Sequence, residues 1–90
     1  MKYNIMLEKP TMINKRAFFS ALFTKIENCI FVFGGSDSPS ADLNQCEKFS
    51  LIESAWKPIA PLKMARNGTS CVSMEPHRLI FVFGGNNYNN

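Results

Sequence analysis

At 90 residues the chain has room for one small domain with a modest core. With 46% hydrophobic, 12% aromatic and 19% charged residues it is too apolar for a disordered tail, and its uncharged apolar runs of about six residues are far short of a bilayer span. The net charge of +3 comes from 10 scattered Lys and Arg, with only Lys15 and Arg16 adjacent, a pattern that speaks against nucleic acid as a partner.

Taken in chain order, the apolar runs read as short strands and never hold a helical period for long. Residues 1–9 are ambiguous, with YNIML suited to a short strand. Ala17 to Phe23 is apolar and carries three Phe, and Ile30 to Phe33 is β-branched and aromatic throughout. Lys25 to Asn28 is a hairpin-sized gap between them. Ser36 to Leu43 is a polar break. Asn44 to Leu51 alternates, with Cys46 and Lys48 on one face and Glu47 and Phe49 on the other. A tight connection at Ile52 to Ser54 leads into Ser54 to Ile59, centred on Trp56, where Pro58 suits an edge strand. A second break, Lys57 to Asn67, is punctuated by Pro58 and Pro61. Thr69 to Met74 and Leu79 to Phe83 follow, joined by Glu75 to Arg78, and an Asn-rich tail occupies 86–90.

The hexapeptide IFVFGG occurs at Ile30 to Gly35 and again at Ile80 to Gly85, fifty positions on. The same shift places Arg16 on Arg66, Ser20 on Ser70, Leu22 on Val72, Ala21 on Cys71 and Met12 on Leu62. Two copies of one supersecondary unit follow from this self-similarity. Signals that occur once lie between them: Phe49, then Trp56 seven positions later, then Pro61, Leu62, Arg66 and Gly68. Paired glycines let the backbone turn sharply with φ > 0, and Phe49 and Trp56 are far enough apart to lie on adjacent strands across the tight Ile52 to Ser54 turn. The five Phe residues 18, 19, 23, 31 and 33 are expected to bury both faces of the innermost strands.

This series resembles the kelch repeat over roughly residues 10–85. The motif residues are Gly34, Gly35, Phe49, Trp56, Arg16, Arg66, Gly84 and Gly85. The sequence departs from the family pattern at Phe49, where a Tyr is usual, at Ser50, where an acid often follows, and at Met6, where a preceding Trp would fall. The resemblance implies an all-β fold of antiparallel four-stranded β-propeller blades. Residues 1–9 would be the last strand of a preceding blade or disordered. Residues 10–59 would be a link and a complete blade, and 60–85 a link and two inner strands. Ninety residues hold about 1.8 such periods, whereas a closed ring takes about four to eight blades. An incomplete propeller is therefore expected, either a fragment of a larger kelch protein or a chain whose copies share unpaired strand edges.

For function, the resemblance implies a non-catalytic protein-interaction module that presents loops to a protein partner it does not identify. The contact loops would be Ser36 to Asp42 and Pro61 to Asn67, with Arg16, Arg66, Asp37 and Asp42 as candidate partner-binding residues. A structural role for the two Arg, bracing each link into the inner strand, is the competing account. The alternatives are a propeller enzyme of the galactose-oxidase-like type and an actin-associated scaffold. Copper chemistry would have only His77, Tyr3 and Tyr88 to draw on, and no Ser-His-Asp or paired-carboxylate arrangement emerges. The odd set Cys29, Cys46 and Cys71, without a C-x-x-C pair, fits reduced, packed thiols. No cofactor or metal is expected. MKYNIMLEKP has no sustained apolar segment, so a cytoplasmic location is the expectation, and Asn67-Gly68-Thr69 reads as a turn into a strand.

Overall fold

The computed structural model describes residues 11–38 and 41–86. These form eight strands and no helix: β1 Ser20–Thr24, β2 Cys29–Phe33, β3 Ser36–Ser38, β4 Ala41–Asp42, β5 Cys46–Ser50, β6 Ala55–Ile59, β7 Ser70–Met74 and β8 Leu79–Phe83. The expected strand in residues 1–9 lies outside the described residues.

Strands β1, β2, β5 and β6 make one antiparallel sheet in that order, the complete blade. The hairpins turn through four-residue loops whose last residue takes a left-handed conformation: Asn28 at φ 56°, Ser54 at 55° and Arg78 at 57°. In the first two, that residue's amide bonds back to the carbonyl of the last strand residue, Asn28 N to Thr24 O at 2.8 Å and Ser54 N to Ser50 O at 2.7 Å. Phe49 faces Trp56 in the β5–β6 register, and their rings meet at 5.2 Å with a 50° tilt. Such a contact adds about 0.5–1.5 kcal/mol beyond the area it buries.

The β7–β8 hairpin repeats β1–β2 pair for pair. Ser20 opposes Phe33 and Leu22 opposes Phe31 in the first, Ser70 opposes Phe83 and Val72 opposes Phe81 in the second. The bridge Ala17–Ser36 recurs as Asn67–Asn86. Asn86, placed in the tail by its sequence, is therefore paired through two backbone hydrogen bonds of 2.9 Å.

Three expectations are corrected. The first strand starts at Ser20, because Phe18 adopts φ 57° and breaks the extended run begun at Ala17. The polar break after Gly35 contains the short hairpin β3–β4. The Phe cluster does not bury both faces: Phe33 is buried and Phe31 half-buried, but Phe18, Phe19 and Phe23 are exposed. The core of the blade consists instead of Cys29, Val32, Phe33, Leu43, Cys46 and Phe49.

Candidate interaction surface at the diglycine turns

One end of the blade is built by the link before β1, the diglycine after β2, the β3–β4 hairpin and the link before β7. Gly34 sits at φ 62° and Gly35 at φ 100°. A Cβ on Gly34 would lie 2.6 Å from the Arg66 carbonyl oxygen, and one on Gly35 would lie 2.6 Å from that of Ala17. Both positions thus need the missing side chain as well as the positive φ. The space is taken by hydrogen-bonded backbone: Gly35 N donates to Arg66 O at 2.9 Å, and Arg66 N donates to Leu43 O at 3.1 Å. Leu62 N to Asn44 O at 2.8 Å fastens the start of the same link.

Beneath this crossing lies a buried ion pair. Arg16 Nη2 donates to Glu47 Oε2 at 2.7 Å, and the two side chains are 0% and 1% exposed. Arg16 Nη1 donates to the carbonyls of Gly34 at 2.7 Å and Gln45 at 2.8 Å. Glu47 accepts further bonds from the amides of Ile13 at 2.8 Å and Asn14 at 3.1 Å. A buried charge needs this many partners to repay its lost hydration. Arg16 therefore ties the first link to β2 and β5, and its guanidinium is enclosed.

The other candidates are spread differently. Arg66 repeats the Arg16 bond, Nη1 to Gly84 O at 3.2 Å, but in an exposed setting. A fifty-residue shift of Glu47 falls at position 97, outside the chain. Asp42 Oδ1 accepts from Ser36 Oγ at 3.0 Å and from Asn67 Nδ2 at 2.6 Å, so it knits the β3–β4 hairpin to the second link. Asp37 is exposed in the middle of β3. Gly85 repeats the Gly35 approach, 2.5 Å to the Asn67 carbonyl, whereas Gly84 has open space around it. Phe49 and Trp56 lie on the blade and take no part at this end.

Sequence reasoning missed two residues. Glu47 was placed on the Phe49 face without a role; the signal was an acid sharing a strand face with a core aromatic. Phe18 was assigned to the core. The residue is 73% exposed, and it borders a cleft of 420 Å³ with Lys15, Asp37 and Ser38 on the walls. The signal was the shift partner Gly68, which has φ 68° where Phe18 has φ 57°. A left-handed slot filled by Gly in one repeat and Phe in the other marks the Phe as out of place.

Burial pushes the Cys46 thiol above its ordinary range, against the opposing effects of the Gly34 and Leu62 backbone and of Arg16. The three cysteines are unpaired. Among the described residues, no three His, Cys, Asp or Glu side chains gather as a metal site.

The sequence profile of the Kelch motif matches residues 19–63, half of the chain. Kelch-like protein 25 of Rattus norvegicus is 36% identical over 70 residues, covering 68% of this chain and 11% of the relative. The Homo sapiens protein of that name is 37% identical over the same span, and that of Xenopus laevis 36%. The chain thus corresponds to about a ninth of the length of these relatives, within the blade-forming arrangement of paired hairpins, diglycines and facing aromatics described above. The chain belongs to the kelch repeat family.

Proposed function

We propose that the chain is a non-catalytic protein-interaction module whose contact surface is the end of the blade carrying Phe18, Lys15, Asp37 and the half-buried Arg66. Phe18 carries this reading. Its backbone is held in a conformation that costs a non-glycine residue about 1–2 kcal/mol, while its ring gains little burial in return. The fold accepts glycine in the equivalent slot, as Gly68 demonstrates. Strain of this kind collects at ligand clamps. An exposed aromatic ringed by polar groups is the usual anchor of a protein interface. Lys15 and Asp37 would form the polar rim, and Arg66 would offer a fork to a carboxylate. Asp42 would act indirectly, by holding the β3–β4 hairpin that carries Asp37.

Photocrosslinking tests this. A benzoylphenylalanine placed at position 18 should capture a discrete protein from extracts of the source cells. Excess wild-type chain should compete the capture, and excess Phe18→Gly chain should not. The same probe at Ile52, an exposed turn residue far along the sequence, is the control. Equal capture from both positions, or competition by the Phe18→Gly chain, would remove the reading.

A further inference from the structure

Asn67 alone among the asparagines of the chain is followed by glycine. That pair is open to a spontaneous reaction. The Gly68 backbone nitrogen gives its proton to solvent and bonds to Asn67 Cγ, the Cγ–Nδ2 bond breaks, and the side-chain nitrogen takes up a proton and leaves as ammonia. Water then opens the cyclic imide at either carbonyl, giving aspartate or isoaspartate. Water enters, ammonia departs, and nothing is oxidised or reduced. Glycine favours the attack because no Cβ shields its nitrogen.

Both reacting groups are engaged in the folded chain. The Gly68 amide donates to Phe18 O at 2.8 Å. Asn67 Nδ2 donates to Asp42 Oδ1 at 2.6 Å, a charge-assisted bond that fixes the direction of the side chain. The Asn67 backbone pairs with Asn86 through N to O and O to N bonds of 2.9 Å each. Ring closure requires Asn67 Cγ to swing onto the Gly68 nitrogen, which breaks the bonds to Asp42 and Phe18. Asn67 is half-buried and Gly68 exposed, so water reaches the pair once those bonds are gone.

The product does not fit the place the amide leaves. An aspartate at this position sets a carboxylate against Asp42, and with two carboxylates at hydrogen-bond distance one must take up a proton or the two must part. Isoaspartate also routes the backbone through its β-carbon, which lengthens it by a methylene and spoils the bridge to Asn86. We propose that Asn67 is a site of covalent modification that acts as a one-way switch. While the second link is docked on β3–β4 the amide is preserved. When the link lifts, deamidation follows and re-docking is blocked. The site is independent of the partner surface at Phe18.

The test compares the 90-residue chain in buffer and in guanidinium chloride at the same mildly alkaline pH, with deamidation located by peptide mass spectrometry and isoaspartate by methyltransferase labelling. In denaturant, position 67 should convert ahead of every other asparagine. In buffer it should convert more slowly by about tenfold or more, because reaction waits for a local opening. Asp42→Ala should bring the rate in buffer towards the rate in denaturant and leave the latter unchanged. Asp42→Asn keeps a side-chain oxygen to accept the bond and should stay protected. Should Asp42→Ala lose the circular dichroism of the wild type, Asn67→Asp decides: hydrogen exchange at the Arg66 and Gly68 amides should quicken while the β1–β2 amides keep their wild-type rates. Three results would overturn the proposal. They are equal conversion in buffer and denaturant, a folded Asp42→Ala chain that converts no faster than the wild type, and an Asn67→Asp chain whose link amides exchange as the wild type does.

Discussion

Arg16 and Glu47 are 31 residues apart in sequence and meet at 2.7 Å with both side chains sealed from water. The pair joins the entering link to the third strand of the sheet, and each partner's remaining polar atoms are taken up by backbone groups. Deleting one member strands the other as a buried charge. Arg16→Ala or Glu47→Ala should therefore cost about 3–5 kcal/mol, enough to abolish the cooperative urea transition of so small a domain. Arg66→Ala removes an exposed bond and should stay within about 0.5 kcal/mol of the wild type. Equal losses at Arg16 and Arg66 would show that the two repeats use their arginines alike.

Phe18→Gly should stabilise the chain. The left-handed backbone costs about 1–2 kcal/mol for a side chain with a Cβ, and glycine's extra freedom in the unfolded state gives back about 0.5–1 kcal/mol. A net gain of about 0.5–1 kcal/mol is expected in denaturant titration. Gly68→Ala should lose about 1–2 kcal/mol through backbone strain alone, since nothing lies within 4 Å of the added Cβ. A loss of stability in Phe18→Gly would mean the ring packs in solution.

The two diglycines should respond unequally. Gly84→Ala suffers only the positive φ, about 1–2 kcal/mol. Gly34→Ala adds a 2.6 Å approach to the Arg66 carbonyl, which forces the second link away and costs a further 1–3 kcal/mol or so. Thermal melts of the two variants, compared at one protein concentration, should rank Gly34→Ala as the less stable. The reverse order would show that the second link is loosely held.

Thiol labelling should separate the cysteines. A raised pKa keeps Cys46 in its thiol form at neutral pH, and the thiolate is the reactive species. Cys29 and Cys46 are buried and Cys71 is half-buried. Iodoacetamide should modify Cys71 first, and Cys46 only as fast as the chain unfolds, which peptide mass spectrometry resolves. Because the shift is upward, the contribution of the folded site is complete below the ordinary thiol pKa and declines as pH rises above it. Rapid labelling of Cys46 at neutral pH would contradict its enclosure.

Much of this fold was legible because its signals are punctuation. Gly34 and Gly35 mark a turn only glycine can make, and the fifty-residue echo at Gly84 and Gly85 confirms it inside one chain. Phe49 and Trp56 could be placed on facing strands from their spacing alone. The polar run from Ser36 gave no strand signal, since serine and aspartate lack β propensity and β3–β4 is held by hydrogen bonds to Asp42. Apolar content likewise could not tell Phe33, which is buried, from Phe23, which is not. That difference depends on which face of a hairpin a neighbouring hairpin happens to cover. Glu47 was illegible for a further reason: its charge is neutralised by a residue 31 positions earlier, with four strands between them.

The crown of the complete blade is laced from both directions, by the Ala17 carbonyl arriving from upstream and the Arg66 carbonyl arriving from downstream. The wedge and its sequence period are therefore out of phase. A polypeptide cut after Ile59 would retain all four strands yet forfeit the ribbon from Leu62 to Gly68 that caps them. Transplanting this wedge into another scaffold means carrying that ribbon along, and swapping one wedge for another means matching the backbone of whatever comes next.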